Sequence, residues 1–518
     1  MYIVSPLIII YVIVVVAGAA PPEAAALLSI SKRTMAVVSS SYQSSTEQLI
    51  DIRTIPSMLA RDGRVRRRLG APGVEECLAQ TTSVDTMNHI GIQAVLTESC
   101  GATASQICDY AKSAGDVLGL DVVCEPNFTV TLENTEPGKI EGSAKGTIDG
   151  ADDTYAYLQT GLIEMEVAEA WKLVEESGKR STTDEIIIAV FDSGVDDEHE
   201  DLRDVMWTGP DGDHGYNFVE NSNDVSDPLG HGTHCAGTIA AHRNNGRGIT
   251  GITDAKLMSL NICDGSGSCN VLLVFRAFDY ALEHGAQISS HSYMADTGAT
   301  LLEQAYKNAG ATGHVMIFAA GNENQEIGTT KYPCTLSRLI STSICVTHVD
   351  LDAPDKYMLA KKANYGPYVD MAAPGIGVLS TLPNSEYGYM SGSSMAAPHV
   401  TGVAGLLLSI GVNGEDIIRV LRASALPLSE KNTKYLVTGG GFLNARKSVE
   451  NALVLLGGGQ VTTQPWESQT TAVPKSQAPG MNSSTLPSPT RTVPSGSHSL
   501  SIAVWFTALS ITLNFFLM

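Results

Sequence analysis

Between residues 155 and 457, short apolar runs alternate with stretches whose apolar residues recur at helical spacing. Glu185-Ile-Ile-Ile-Ala-Val-Phe-Asp192 is one such run, a buried strand that ends in a carboxylate and a Ser-Gly turn. Strands are predicted at 185–191, 256–262, 286–290, 315–319 and 344–349. Helices are predicted at 231–241, 270–284, 299–310, 394–410 and 414–424. Alternation of this kind predicts an α/β fold, a mostly parallel sheet with helices on both faces. Reactive groups in such folds gather at the carboxyl ends of the strands. Asp192 and Asn322 are both predicted to stand there.

Four stretches carry candidate chemistry. Gly388-Tyr-Met-Ser-Gly-Ser-Ser394-Met-Ala-Ala-Pro398 turns on small residues and delivers Ser394 to the start of an apolar helix. The first amides of a helix lack intrahelical partners and form the positive end of its dipole, so they favour developing negative charge. Pro398 fits near a helix start, where its missing N–H costs little. Gly230-His231-Gly-Thr-His-Cys opens a second small-residue helix with a histidine. Phe318-Ala-Ala-Gly-Asn322 follows the apolar run 315–318. A serine hydroxyl needs a base, which His231 can be; a carboxylate such as Asp192 fixes the imidazole tautomer. Asn322 offers a neutral amide donor to an oxyanion, beside the backbone N–H of Ser394. His234 and His399 are read as structural.

Residues 185–197, 230–252, 315–324 and 388–405 resemble the four signature blocks of the subtilisin-like serine proteases, and the likeness extends over roughly 155–457. The resemblance implies a subtilisin-like catalytic domain preceded by a small propeptide domain that assists folding and blocks the site until it is cut. It implies that Ser266, Gly267 and Ser268, in Asp264-Gly-Ser-Gly-Ser268, form an edge that pairs with an extended substrate backbone. It places Ser292, Tyr293 and Met294 on one wall of the primary pocket and Ala319, Ala320 and Gly321 on the other. Met294 departs from the family pattern, which has Gly there, and reshapes that pocket. Asp201 and the loop with Asn244 and Asn245 resemble parts of a structural calcium site; oxygen ligands suit that ion. The bland reading of the same residues is an Asn-Gly turn and a surface carboxylate.

The remainder of the chain sets the context. Residues 1–19 read as a secretory signal: 2–16 are nearly all apolar, and Ala17-Gly18-Ala19 follows. Residues 20–150 are assigned to the propeptide, with the acidic, Gly-rich stretch 133–153 as the linker where cutting would occur. Arg64-Val-Arg-Arg-Arg68 is either a solvated face or a second processing site. An exported chain with nine cysteines predicts disulfides. Cys263 with Cys269, and Cys334 with Cys345, each close a short loop. Cys77, Cys100, Cys108 and Cys124 allow three pairings. Cys235, four residues after His231, reads as a buried free thiol. Asn127 and Asn482 head glycosylation sequons.

The net charge of −22 argues against a nucleic-acid partner. Residues 458–499 are a Ser/Thr/Pro-rich stalk that cannot bury a core. Residues 500–518 are apolar to the end and read as a lipid-anchor signal, with a terminal membrane span as the alternative. An α/β-hydrolase esterase is excluded by motif order, and a zinc protease by the lack of His-Glu-x-x-His. The expected protein is a surface-held serine endopeptidase made as a zymogen, acting on protein or peptide substrates. The rival is a binding protein on a protease scaffold.

Overall fold

The computed structural model describes residues 148–179, 185–296, 300–432 and 441–461, and shorter stretches before them: 9–15, 25–32, 83–90, 92–96, 106, 108–113, 120–126, 128–132 and 137–139. The stalk from residue 462 on and the apolar tail lie outside the described residues. So do the leader except for 9–15, the basic run at 64–68, Cys77, Cys100 and both sequon asparagines.

The central sheet runs in the order Met358–Leu359, Ser343–Asp350, Val315–Ala319, Ile288–His291, Ile187–Asp192, Lys256–Asn261, Gly215–Asn217, with Met371–Pro374 added beside Ser343–Asp350. Every pairing is parallel except that of Met358–Leu359. All six residues of Ile187–Asp192 are buried, which is why the strand reads as an unbroken apolar run. Its side chains still alternate. Ile188 and Val190 join one core and Ile187, Ala189 and Phe191 another, on opposite faces of the sheet.

Helices cover both faces. Val167–Ser177, His231–Ala240, Ser393–Ser409, Gly414–Ala423 and Ala445–Leu456 pack into the first core. Val271–Glu283 and Thr300–Ala311 pack into the second. The predicted elements are present within one or two residues of their expected ends. The hairpin Val378–Leu382/Glu386–Met390 was not anticipated.

Ahead of this domain, strands pair in the order Ser83–Met87, Ile92–Leu96, Ile9–Val15, Ala25–Lys32, Leu120–Pro126. Ile9–Val15 thus lies in a sheet, although the apolar pattern places it in a leader. The turn after Ser83–Met87 docks on the second helical layer. His89 N donates to Asp279 Oδ1 (2.6 Å) and Asn308 Nδ2 donates to the Ile90 carbonyl (2.7 Å). Among the described residues, no single helix is long and apolar enough to cross a membrane.

Candidate active site

Asp192 is the last residue of its strand, and His231 is the first residue of the helix His231–Ala240. Gly230 turns the chain into that helix at φ +84°, a conformation L side chains rarely adopt. A side chain at Gly232 would collide with Asp192 and with the Gly194 carbonyl, so the glycine lets the helix start sit against the strand end. The result is a hydrogen bond of 2.8 Å between His231 Nδ1 and Asp192 Oδ1, fully buried. Burial by itself lowers the His231 pKa. The Asp192 charge and hydrogen bond, together with Cys235 beside the ring, more than offset it and hold the imidazole well above its ordinary value.

Ser394 lies in the first turn of Ser393–Ser409, after Gly392. Its Oγ donates to the Ser292 carbonyl (3.3 Å). His231 Nε2 is buried and has no hydrogen-bond partner among the described residues. The serine–histidine bond is therefore not formed in this conformer. Asn322 is held by its oxygen: Ser393 N donates to Oδ1 (2.8 Å). That orientation leaves Nδ2 as the free donor.

Cys235 stands behind the histidine, with Sγ 4.0 Å from Nδ1 and 3.3 Å from the Ser394 carbonyl. Burial pushes its thiol pKa up, so it stays protonated and is no rival nucleophile. His234 is bound to the Val378 carbonyl and His399 to that of Met395, in accord with structural roles.

Sequence reasoning missed Asp227. This carboxylate accepts from Ser193 Oγ, Leu229 N, Gly230 N, Thr233 N and Thr233 Oγ1, at 2.7–3.0 Å. Ser193 Oγ also reaches Asp192 Oδ1 (3.2 Å) and accepts from Gly232 N (3.1 Å). Asp227 therefore ties down both flanks of His231. An acidic residue just ahead of a predicted helix was the available signal.

Of the expected substrate edge, Gly267 and Ser268 meet the strand Thr129–Leu132 and Ser266 does not. Ser266 lies in a turn closed by Asp264 Oδ1, which accepts from Ser266 N, Ser266 Oγ and Ser268 N. The strand is Ser268–Asn270, because the Asp264 side chain claims the amides before it. That strand and Tyr293–Met294 flank Thr129–Leu132, antiparallel to both. Leu132 N donates to the Gly267 carbonyl (2.9 Å). Ala319 ends its strand, and Ala320 and Gly321 lead into Asn322. Cys263–Cys269 and Cys334–Cys345 are disulfide-bonded as expected, and Cys108 is also in a disulfide.

Asp201, Asn244 and Asn245 share one corner with Asp153. Asn245 N donates to Asp153 Oδ1 (3.0 Å), and Asn245 Nδ2 donates to Asp201 Oδ1 (2.7 Å). Asp153 and Asp201 are 4 % and 0 % exposed, and no Lys or Arg among the described residues pairs with either. Burial raises both carboxyl pKa values. All four carboxylate oxygens accept N–H or O–H groups from Asn244, Asn245, Ile249 and Tyr387, and Asn245 turns its Nδ2 rather than its oxygen to Asp201, so a hard cation held by these oxygen ligands would have to displace those donors.

The Subtilase family model matches residues 183–441. The thermophilic serine proteinase of Bacillus sp. (strain AK1) is 34% identical over 341 residues, covering 65% of this chain and 79% of that protein. Thermitase of Thermoactinomyces vulgaris is 34% identical over 300 residues, covering 58% of this chain and 98% of that protein. A solved protease of Pseudoalteromonas arctica PAMC 21717 shares the fold, with a TM-score of 0.50 at 24% identity, covering 58% of this chain and 99% of its own. The chain belongs to the subtilase family and is a subtilisin-like serine endopeptidase.

Proposed function

We propose that this endopeptidase is made as a self-processing zymogen, exported, and held at the cell surface by its C-terminus, and that Asp192, His231, Asn322 and Ser394 carry its chemistry. The carrying observation is the path of the segment before the catalytic domain. Thr129–Leu132 is the middle strand between Ser268–Asn270 and Tyr293–Met294, in the pose of an extended substrate. Leu132 faces Tyr293, the neighbour of Ser292, whose carbonyl touches Ser394 Oγ. Gly138 and Lys139 then pair with Tyr389 and Gly388, just ahead of Ser394 in sequence. The cut therefore falls after one of residues 133–137, which link the two paired segments. His231 and Ser394 are buried, 0 % and 2 % exposed.

On this reading Ser394 Oγ swings from the Ser292 carbonyl to His231 Nε2, gives up its proton there and attacks the carbonyl carbon. The oxyanion takes a hydrogen bond from Asn322 Nδ2, while Asp192 steadies the charged imidazole. His231 then hands its proton to the leaving amine, and water releases the acyl group by the same steps in reverse. Calcium, where present, adds only structural charge neutralisation, with Asp153, Asp201, Asn244 and Asn245 to hold it.

Ser394→Ala should accumulate as the uncut precursor and fail to label with a fluorophosphonate. The wild type should label, and its mature N-terminus should begin within residues 134–138. Equal labelling of both proteins would overturn the assignment of Ser394. No labelling of a folded wild type would favour the binding-protein alternative. Export and anchoring rest on the leader and tail patterns. Release of the enzyme from intact cells by a phosphatidylinositol-specific phospholipase is the test of the anchor.

A further inference from the structure

The strands Ile288–His291 and Val315–Ala319 lie side by side and parallel. The segments that continue from them, 292–294 and 319–321, leave the sheet edge as the two sides of a crevice. One side carries the Ser292 carbonyl that touches Ser394 Oγ; the other leads into Asn322. A peptide carbonyl attacked by that hydroxyl, with its oxygen toward Asn322 Nδ2, must project its side chain into this crevice.

The crevice is filled. Met294 is 9 % exposed, and its Cε lies so close to Gly321 that even a methyl group added there would collide with it. Gly321, at φ +89°, gives no side chain to the opposite wall. Glu323 Oε2 closes the space around Gly321 as well. That carboxylate is fixed by Asn364 Nδ2 and, through Oε1, by Lys331 Nζ (3.1 Å), which also holds Asp296 (2.5 Å). The Asn364 hydrogen bond and the Lys331 pair hold Glu323 beside Gly321, so a large substrate side chain has to displace Met294.

We infer that Met294 is a specificity-determining residue: it fills the crevice for the side chain on the acyl side of the cut. The enzyme then accepts small side chains up to Asn or Thr at that place, Asn134 and Thr135 at the proposed cut among them, and disfavours Phe, Tyr and Leu. The inference rests on the serine-protease reading of the site. Deleting or adding bulk in an apolar pocket changes discrimination by about 10- to 200-fold.

The test uses enzyme matured from the full chain, its active sites counted with a fluorophosphonate. The probes are peptides differing only in Ala or Phe before the cut, with the cut position read by mass spectrometry. Wild type should favour Ala over Phe by at least about tenfold in kcat/KM. Met294→Ala should shrink that ratio about tenfold or more by raising the Phe value, with labelling retained. Met294→Leu, of similar volume, should keep the wild-type preference and guards against a folding artefact. A wild type that cuts after Phe as well as after Ala, or a ratio unchanged in Met294→Ala, would overturn the inference. A wild type that neither labels nor cuts any peptide would overturn the protease reading, and this inference with it.

Discussion

A single carboxylate that touches no substrate organises the approach to His231. Asp227 sits ahead of a helix whose own N-cap, Gly230, has no side chain to offer, and it satisfies the Gly230 and Thr233 amides instead. Burial raises its pKa, while the donors around it pull the other way. An Asn at this place turns one acceptor into an N–H facing other N–H and O–H groups. Asp227→Asn should cost about 2 kcal/mol of stability, since it leaves buried donors unpaired. It should also lower kcat by loosening the imidazole. Urea unfolding in a Ser394→Ala background measures the first, and steady-state kinetics the second. An unchanged unfolding midpoint would remove Asp227 from this role.

At the scale of elements, the corner built by the loop after His231–Ala240 and by the chain near Asp153 carries the calcium proposal. A cation that binds only the folded state stabilises it by mass action. Chelation should lower the melting temperature, and Asp201→Asn should blunt that response. A melting temperature indifferent to chelator would end the proposal. The asparagines and Asp201 could be read from the motif, but Asp153 could not, because its partners lie about ninety residues on, at Asn244 and Asn245. The same logic divides the rest of the fold. Fully buried strands and long helices announced themselves by unbroken or periodic apolar runs. The hairpin Val378–Leu382/Glu386–Met390 did not: its strands are short, and its turn is made by Asn384 and Ser385 at φ +67° and +56° rather than by the usual Asn-Gly. The reactive residues were legible because each closes or opens an element. Asp227 was hidden because it belongs to neither the strand nor the helix it ties together. The strand Thr129–Leu132 was hidden because its pairing partners come more than a hundred residues later.

The whole molecule carries an acid sensitivity. His234, His314, His348 and His399 are buried, and burial lowers their pKa values from 6.5 to about 3, 4, 4 and 4; His291 is held well below 6.5 for the same reason. A histidine whose folded pKa is depressed takes up its proton more readily in the unfolded chain. Its stabilising effect is complete above pH 6.5 and is lost as pH falls toward 4. Each such group contributes a slope of up to about 1.4 kcal/mol per pH unit in that window. His231 and the raised carboxyls of Asp153, Asp197, Asp201, Asp227 and Asp279 act in the opposite sense, so the five histidines set the profile only while those carboxyls stay ionised above pH 5. The melting temperature of Ser394→Ala should be flat from pH 8 to 7 and fall by at least about 10 °C by pH 5. A flat profile down to pH 5 would show that these histidines are charged in the fold.

The strand Thr129–Leu132 and the groove it fills belong to one chain, and this has a kinetic consequence. A tethered segment meets its site at an effective concentration set by the connecting polypeptide, not by how much protein is in solution. On the zymogen reading, the first cut is a unimolecular event whose half-time is unchanged by hundredfold dilution. Once the tether is severed, the released piece becomes an ordinary ligand. Its hold on the groove then weakens in proportion to dilution, so volume alone decides when the enzyme becomes free to act on others.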